Sequence, residues 1–142
     1  MRKIVSLCLL LFLVSCQSVQ VNDSSHITEE EVVRVLQENG VKLVGAESSR
    51  ENIFGSKLKD VNPGAYKLSE KQLFIYEFAT ENDREKGTKE FAEKTATMNL
   101  VSFSMFKKRN ILIFYLHGQN LNSESIPFEK EIKGALDSIS EG

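Results

Sequence analysis

A chain of 142 residues with 18 Lys and Arg against 20 Asp and Glu has room for one modest domain, and it lacks the basic excess that binding to nucleic acid requires. Its two cysteines, Cys8 and Cys16, both fall in the first sixteen residues, which excludes a disulfide framework or a thiolate metal site in the body of the chain. The chain opens with the positive stretch Met1-Arg2-Lys3 and runs into Ile4 to Val14, eleven residues interrupted only by Ser6 and Cys8. A helix that crosses a bilayer needs roughly 20 apolar residues. The segment is too short for that and reads as a secretory signal peptide covering residues 1–15.

The residues at the expected cleavage point, Leu13-Val14-Ser15-Cys16, resemble the lipobox of bacterial lipoproteins. The resemblance implies that the Cys16 thiol receives a diacylglyceryl group, that the bond before it is then cut, and that acyl chains such as palmitate hold the protein on the extracytoplasmic face of the cell membrane. Two such chains, at about 0.8 kcal/mol per buried CH₂, suffice as an anchor. Arg2 and Lys3 leave with the signal and no acid does, so the mature chain carries 16 basic and 20 acidic residues. It has no general attraction for polyanions. Residues 16–27 then read as the lipidated cysteine and a flexible tether, polar and without periodicity from Gln17 to His26, and residues 28–142 as a single small α+β domain.

The first folded element is well marked. Thr28 precedes Glu29, Glu30 and Glu31 at capping-box spacing, and Ile27 and Val32 occupy the positions of a hydrophobic staple. Val32, Val33 and Leu36 then form an apolar stripe that stops before Gly40, which predicts a helix over 29–39. The three glutamates suit the positive end of a helix dipole, so they are expected to be a charged first turn and not a metal site. Val41 to Val44 alternates as a short strand, and 47–63 reads as a long, partly packed loop closing at Asn62-Pro63-Gly64.

Ala65 to Leu68 and Gln72 to Ala79, joined at Ser69-Glu70-Lys71, predict a hairpin. Thr80 to Lys94 predicts a charged helix weakened by Gly87. Val101 to Lys107 and Ile111 to Leu116 predict a second hairpin turning at Lys108-Arg109-Asn110, and Ser123 to Ile139 a closing helix. The expected fold is α+β, a mainly antiparallel two-layer sheet-and-helix arrangement in the order α-β-(loop)-ββ-α-ββ-α. From Tyr66 to about Tyr115, with Lys71 to Phe78, Lys94-Thr95-Ala96-Thr97 and Asn110 to Tyr115, the chain also resembles small uncharacterised lipoproteins of Bacillus-like Gram-positive bacteria. That resemblance implies location and fold, and no activity.

Catalytic grammar is sparse. His26 falls in the expected tether, His117 stands by itself at a strand end as an expected surface residue, and there is no glycine-rich phosphate loop or nucleophile elbow. Glu77 shares a strand face with Leu73 and Ile75, where a carboxylate either reaches solvent at the strand end or sits in an apolar setting of the kind active sites use. Strands 73–78 and 111–116 are apolar on both faces, unlike a half-exposed antiparallel strand. Either the helices at 81–94 and 123–139 cover one face while the first helix and the 47–63 loop cover the other, or Tyr66, Phe74, Tyr76, Phe103 and Tyr115 form an aromatic face that binds a hydrophobic ligand, a glycan or a protein. The functional expectation is a non-enzymatic binding or accessory module of the cell envelope, with no cofactor, no metal and no nucleic-acid partner, held to the membrane by the lipid on Cys16 and meeting an envelope protein or glycan. The alternative is a small-ligand receptor or enzyme using the 47–63 loop and the sheet edge.

Overall fold

The computed structural model describes residues 25–49, 51–120 and 122–140. The expected signal peptide, Cys16 and the tether as far as residue 24 lie outside the described residues. The elements are helix α1 (Glu29–Glu38), strand β1 (Val44–Gly45), a single 3-10 turn at Ile53–Gly55, strands β2 (Gly64–Leu68) and β3 (Lys71–Glu77), helix α2 (Glu81–Thr95), strands β4 (Ser104–Lys108) and β5 (Ile111–Leu116), and helix α3 (Glu129–Ser138). The fold is α+β. Its five strands make one antiparallel sheet in the order β1-β2-β3-β5-β4, so the two strands with the most apolar sequence, β3 and β5, lie at the centre.

Both hairpin turns follow from backbone chemistry. Ser69 and Glu70 are both left-handed (φ 44° and 70°) between the paired residues Leu68 and Lys71, the conformation whose twist matches that of the flanking strands. In the second hairpin, Lys108 pairs with Ile111 across Arg109 (φ 48°) and Asn110.

Alternation along β3 and β5 divides the interior into two cores of different character. Leu73, Ile75, Ile111, Ile113 and Tyr115 face one way and pack with Val32, Val35 and Leu36 of α1 and Ile132, Ala135 and Leu136 of α3. Phe74, Tyr76, Leu112, Phe114 and Leu116 face the other way and meet Phe91 of α2 with Phe54 and Leu58 of the 47–63 segment. The second core is a cluster of rings, with Phe91 and Phe114 centroids 4.4 Å apart and Tyr76 stacked on Phe78 at 5.9 Å. Both sheet faces are therefore covered, and the molecule has three layers where two were expected. The pairing of helices also differs from expectation, because α3 joins α1 and α2 shares its face with the 47–63 segment.

Three boundaries move for local reasons. Gly40 (φ +81°) ends α1 in a left-handed turn in which the Val41 N–H bonds the Leu36 carbonyl at 2.9 Å, so Val41 is buried under the helix and the expected strand shrinks to Val44–Gly45. The closing helix starts at Glu129 and not near Ser123, because Phe128 is left-handed (φ 65°) and reverses the chain just before it. At the other end of the described chain, His26 and Ile27 belong to the domain. Ile27 is 1% exposed, and its N–H and C=O are both hydrogen bonded to the buried Asn110 side chain at 2.8 Å.

Candidate functional site

The five aromatic residues expected to share a binding face do not share one. Phe74 and Tyr76 lie in the core under α2, Tyr115 in the core under α1 and α3, and all three rings are buried. Tyr66 is half-buried against the α1 and α3 side, and Phe103 is half-buried against the α2 side. Tyr66 and Tyr115 thus lie on one side of the sheet and Phe74, Tyr76 and Phe103 on the other, and helices cover both sides. The Tyr76 hydroxyl donates to the Phe54 and Ser56 carbonyls at 2.8 and 2.6 Å, which commits it to fixing the 47–63 segment; burial and the nearby Glu90 charge both push its pKa upward.

Glu77 has a structural task. One carboxylate oxygen accepts the Glu29 N–H at 2.7 Å, an otherwise orphan donor at the start of α1, and the other lies 2.9 Å from His26 Nε2. The Glu29 side chain turns back to accept the Tyr66 hydroxyl proton, and Gly64 leaves it the room, since a Cβ there would overlap the Glu29 carboxylate. Burial and this hydrogen bond to a carboxylate hold the Tyr66 phenol protonated well above its usual range. Together with Asn110, this network fastens residues 26–29 to the centre of the sheet. Among the described residues, no three His, Cys, Asp or Glu side chains converge as a metal site.

A concave site with ligand-binding character lies elsewhere, past the C-terminal end of β5. A groove of about 380 Å³ runs between 100–103, the segment leading into β4, and residues of 117–126. Its apolar lining is Leu100, Val101, Phe103 and Ile126, and its polar lining includes Ser102, His117, Gln119 and Ser123. The volume and the mixture of apolar walls with a few polar groups match small-molecule sites. Val101 is 48% exposed, and its neighbour in sequence Met98 is 47% exposed. The two walls are tied together by a hydrogen bond from the Gly118 N–H to the Ser102 carbonyl at 3.0 Å. Phe103 is braced from behind by Phe54, with ring centroids 4.8 Å apart.

The polar centre of this groove is His117. Expected at the surface, it is instead 5% exposed, because β5 carries it inward directly after Leu116. The Gln119 N–H donates to its Nδ1 at 3.0 Å. With Nδ1 accepting, a neutral imidazole carries its proton on Nε2. That atom has no hydrogen-bond partner among the described residues. A donor on a fixed ring is thus available where the groove opens.

The groove is hard to see in the sequence because its parts are separated and bland. Residues 101–103 fall in the strand expected over 101–107, which begins only at Ser104, and 123–126 in the helix expected over 123–139, so the signal available was the histidine after six apolar residues. The groove and the start of the described chain lie at opposite ends of β5: Arg109, before the strand, donates to the Ser25 and Ser140 carbonyls, and His117 follows the strand. Six residues of strand place them about 20 Å apart. No helix among the described residues is long and apolar enough to cross a membrane. In comparisons with protein-family models, curated proteins and solved structures, no match to the chain was found.

Proposed function

We propose that this chain is a lipid-anchored extracytoplasmic protein whose folded domain is a non-enzymatic binding module, with the groove at His117 as its binding site. The observation that carries the binding reading is a braced, partly apolar groove holding a buried imidazole with one nitrogen unpaired. The anchor rests on the sequence Leu13-Val14-Ser15-Cys16 behind an eleven-residue apolar run. In this reading the groove, at the end of β5 opposite the start of the described chain at Ser25, meets envelope components and their small ligands. The 47–63 loop serves the core instead, through Phe54 and Leu58.

Two experiments test the proposal. Cys16→Ala should abolish labelling by radioactive palmitate and shift the protein out of the membrane fraction; retention with membranes like the parent would end the anchor assignment. A fragment screen read by amide chemical shifts should give hits that cluster on 100–103 and 117–126. Hits scattered over the surface would remove the binding site.

A further inference from the structure

We infer that the groove selects ligands made of an apolar body and one hydrogen-bond acceptor oxygen seated on the Nε2–H of His117; this rests on the binding-module reading above. Three observations lead to it. The Gln119 N–H occupies Nδ1, which fixes the tautomer and makes Nε2 a donor, so the complementary ligand atom is an acceptor and not another donor. The walls around it, Leu100, Val101, Phe103 and Ile126, favour an apolar body. The residues lining the groove include no Asp or Glu, and the Lys71 ammonium stands beside Gly118 at its mouth, so nothing in the lining repels an acceptor oxygen.

The site is also built to hold this geometry before a ligand arrives. Phe103 sits within a cluster of rings, 4.8 Å from Phe54 and 5.8 Å from Phe114, and the Gly118–Ser102 hydrogen bond sets the spacing between the walls. The imidazole is packed against Tyr115, centroids 5.8 Å apart, and its other nitrogen is already pinned. A ligand therefore loses little to ordering the protein, and most of its discrimination comes from the single donor.

The test uses two aromatic probes of similar size, acetophenone and ethylbenzene, titrated into the isotopically labelled protein while backbone amides and the His117 ring nitrogens are followed by NMR. Acetophenone should shift amides of 100–103 and 117–126 together with the Nε2 resonance, and it should bind about three- to tenfold more tightly than ethylbenzene, the range expected for one neutral hydrogen bond. His117→Phe, which keeps an aromatic ring and deletes the donor, should remove the preference for acetophenone over ethylbenzene. The ring nitrogens of the unaltered protein give a readout that survives if that variant fails to fold: they should show a protonated Nε2 and an unprotonated Nδ1. Equal binding of acetophenone and ethylbenzene, or a protonated Nδ1, would overturn the inference while leaving a binding groove in place. Absence of any shift in the groove with either probe would remove the inference and the binding reading together.

Discussion

Gly87 and Gly134 are both helical glycines, and the structure predicts that the same substitution acts on them in opposite directions. Alanine is favoured over glycine inside a helix by about 1 kcal/mol, and this gain applies at either position. At Gly134, on the exposed side of α3, a Cβ would meet nothing within 4 Å, so Gly134→Ala should stabilise by about 0.5–1 kcal/mol. At Gly87, in the middle of α2, a Cβ would lie 2.5 Å from Cζ and 2.6 Å from Cε1 of Phe78. That ring has nowhere to go. It is fully buried and stacked on Tyr76, and its backbone is held on both sides by Asn110, through the Phe78 N–H and C=O at 3.0 Å. Overpacking of this kind costs about 1–3 kcal/mol, which offsets the helix gain and leaves Gly87→Ala destabilised by up to about 2 kcal/mol. Urea denaturation at constant m-value would measure both changes. The mechanism has its own control: in a Phe78→Leu background, where the offending ring atoms are absent, Gly87→Ala should become neutral or stabilising. A stabilised Gly87→Ala in the parent protein, or an unchanged penalty in the Phe78→Leu background, would refute the close approach of α2 to the sheet as the reason for this glycine.

Other predictions concern groups that tie segments to the sheet. Asn110 is 2% exposed, and its side chain makes three hydrogen bonds to the Ile27 and Phe78 backbones, so Asn110→Ala should cost about 3 kcal/mol and speed amide exchange at Ile27 selectively. Tyr76→Phe leaves the Phe54 and Ser56 carbonyls without their donor, should cost about 1–2 kcal/mol, and should loosen 53–57 in hydrogen exchange without altering the sheet. Glu90 is held below its ordinary value of 4.5 chiefly by Lys94, whose ammonium lies 2.6 Å away, with the Lys59 N–H also donating to it. A carboxyl depressed in the folded state contributes stability above its unfolded pKa and loses it as pH falls through its folded pKa. The stability difference between the parent and Glu90→Gln should therefore be widest near neutrality and close in acid; a difference independent of pH would contradict the assignment.

Much of the fold was legible because local chemistry and tertiary packing agree. Thr28 accepts the Glu31 N–H at 3.1 Å, Ile27 and Val32 are both buried, and the central strands stand where unbroken apolar sequence placed them. Apolarity on both faces of β3 and β5 correctly required cover on both faces. It could not say which helix covers which, since that depends on the three-dimensional path of the connections between them and not on the helix sequences. The misplaced boundaries share a cause: Val41 and Phe128 are hydrophobic residues in turns, where tertiary burial overrides the polar composition that marks a loop in sequence.

Function was less legible for a physical reason. The aromatic residues that stand out in the sequence are the ones the protein needs inside, since burying large rings is what stabilises a domain without disulfides. His26 and Glu77, which also carry groups capable of chemistry, are engaged in starting α1 and seating the chain before it. Once the obvious chemical groups are committed to structure, one that is not carries more information. His117 has the burial of a core residue and half the hydrogen bonding of one, at a place where the wall is open. An apolar side chain there would have served stability alone at lower desolvation cost. That imbalance, visible only when the Gln119 backbone and the 100–103 segment are brought beside the end of β5, is what distinguishes this histidine from a packing residue.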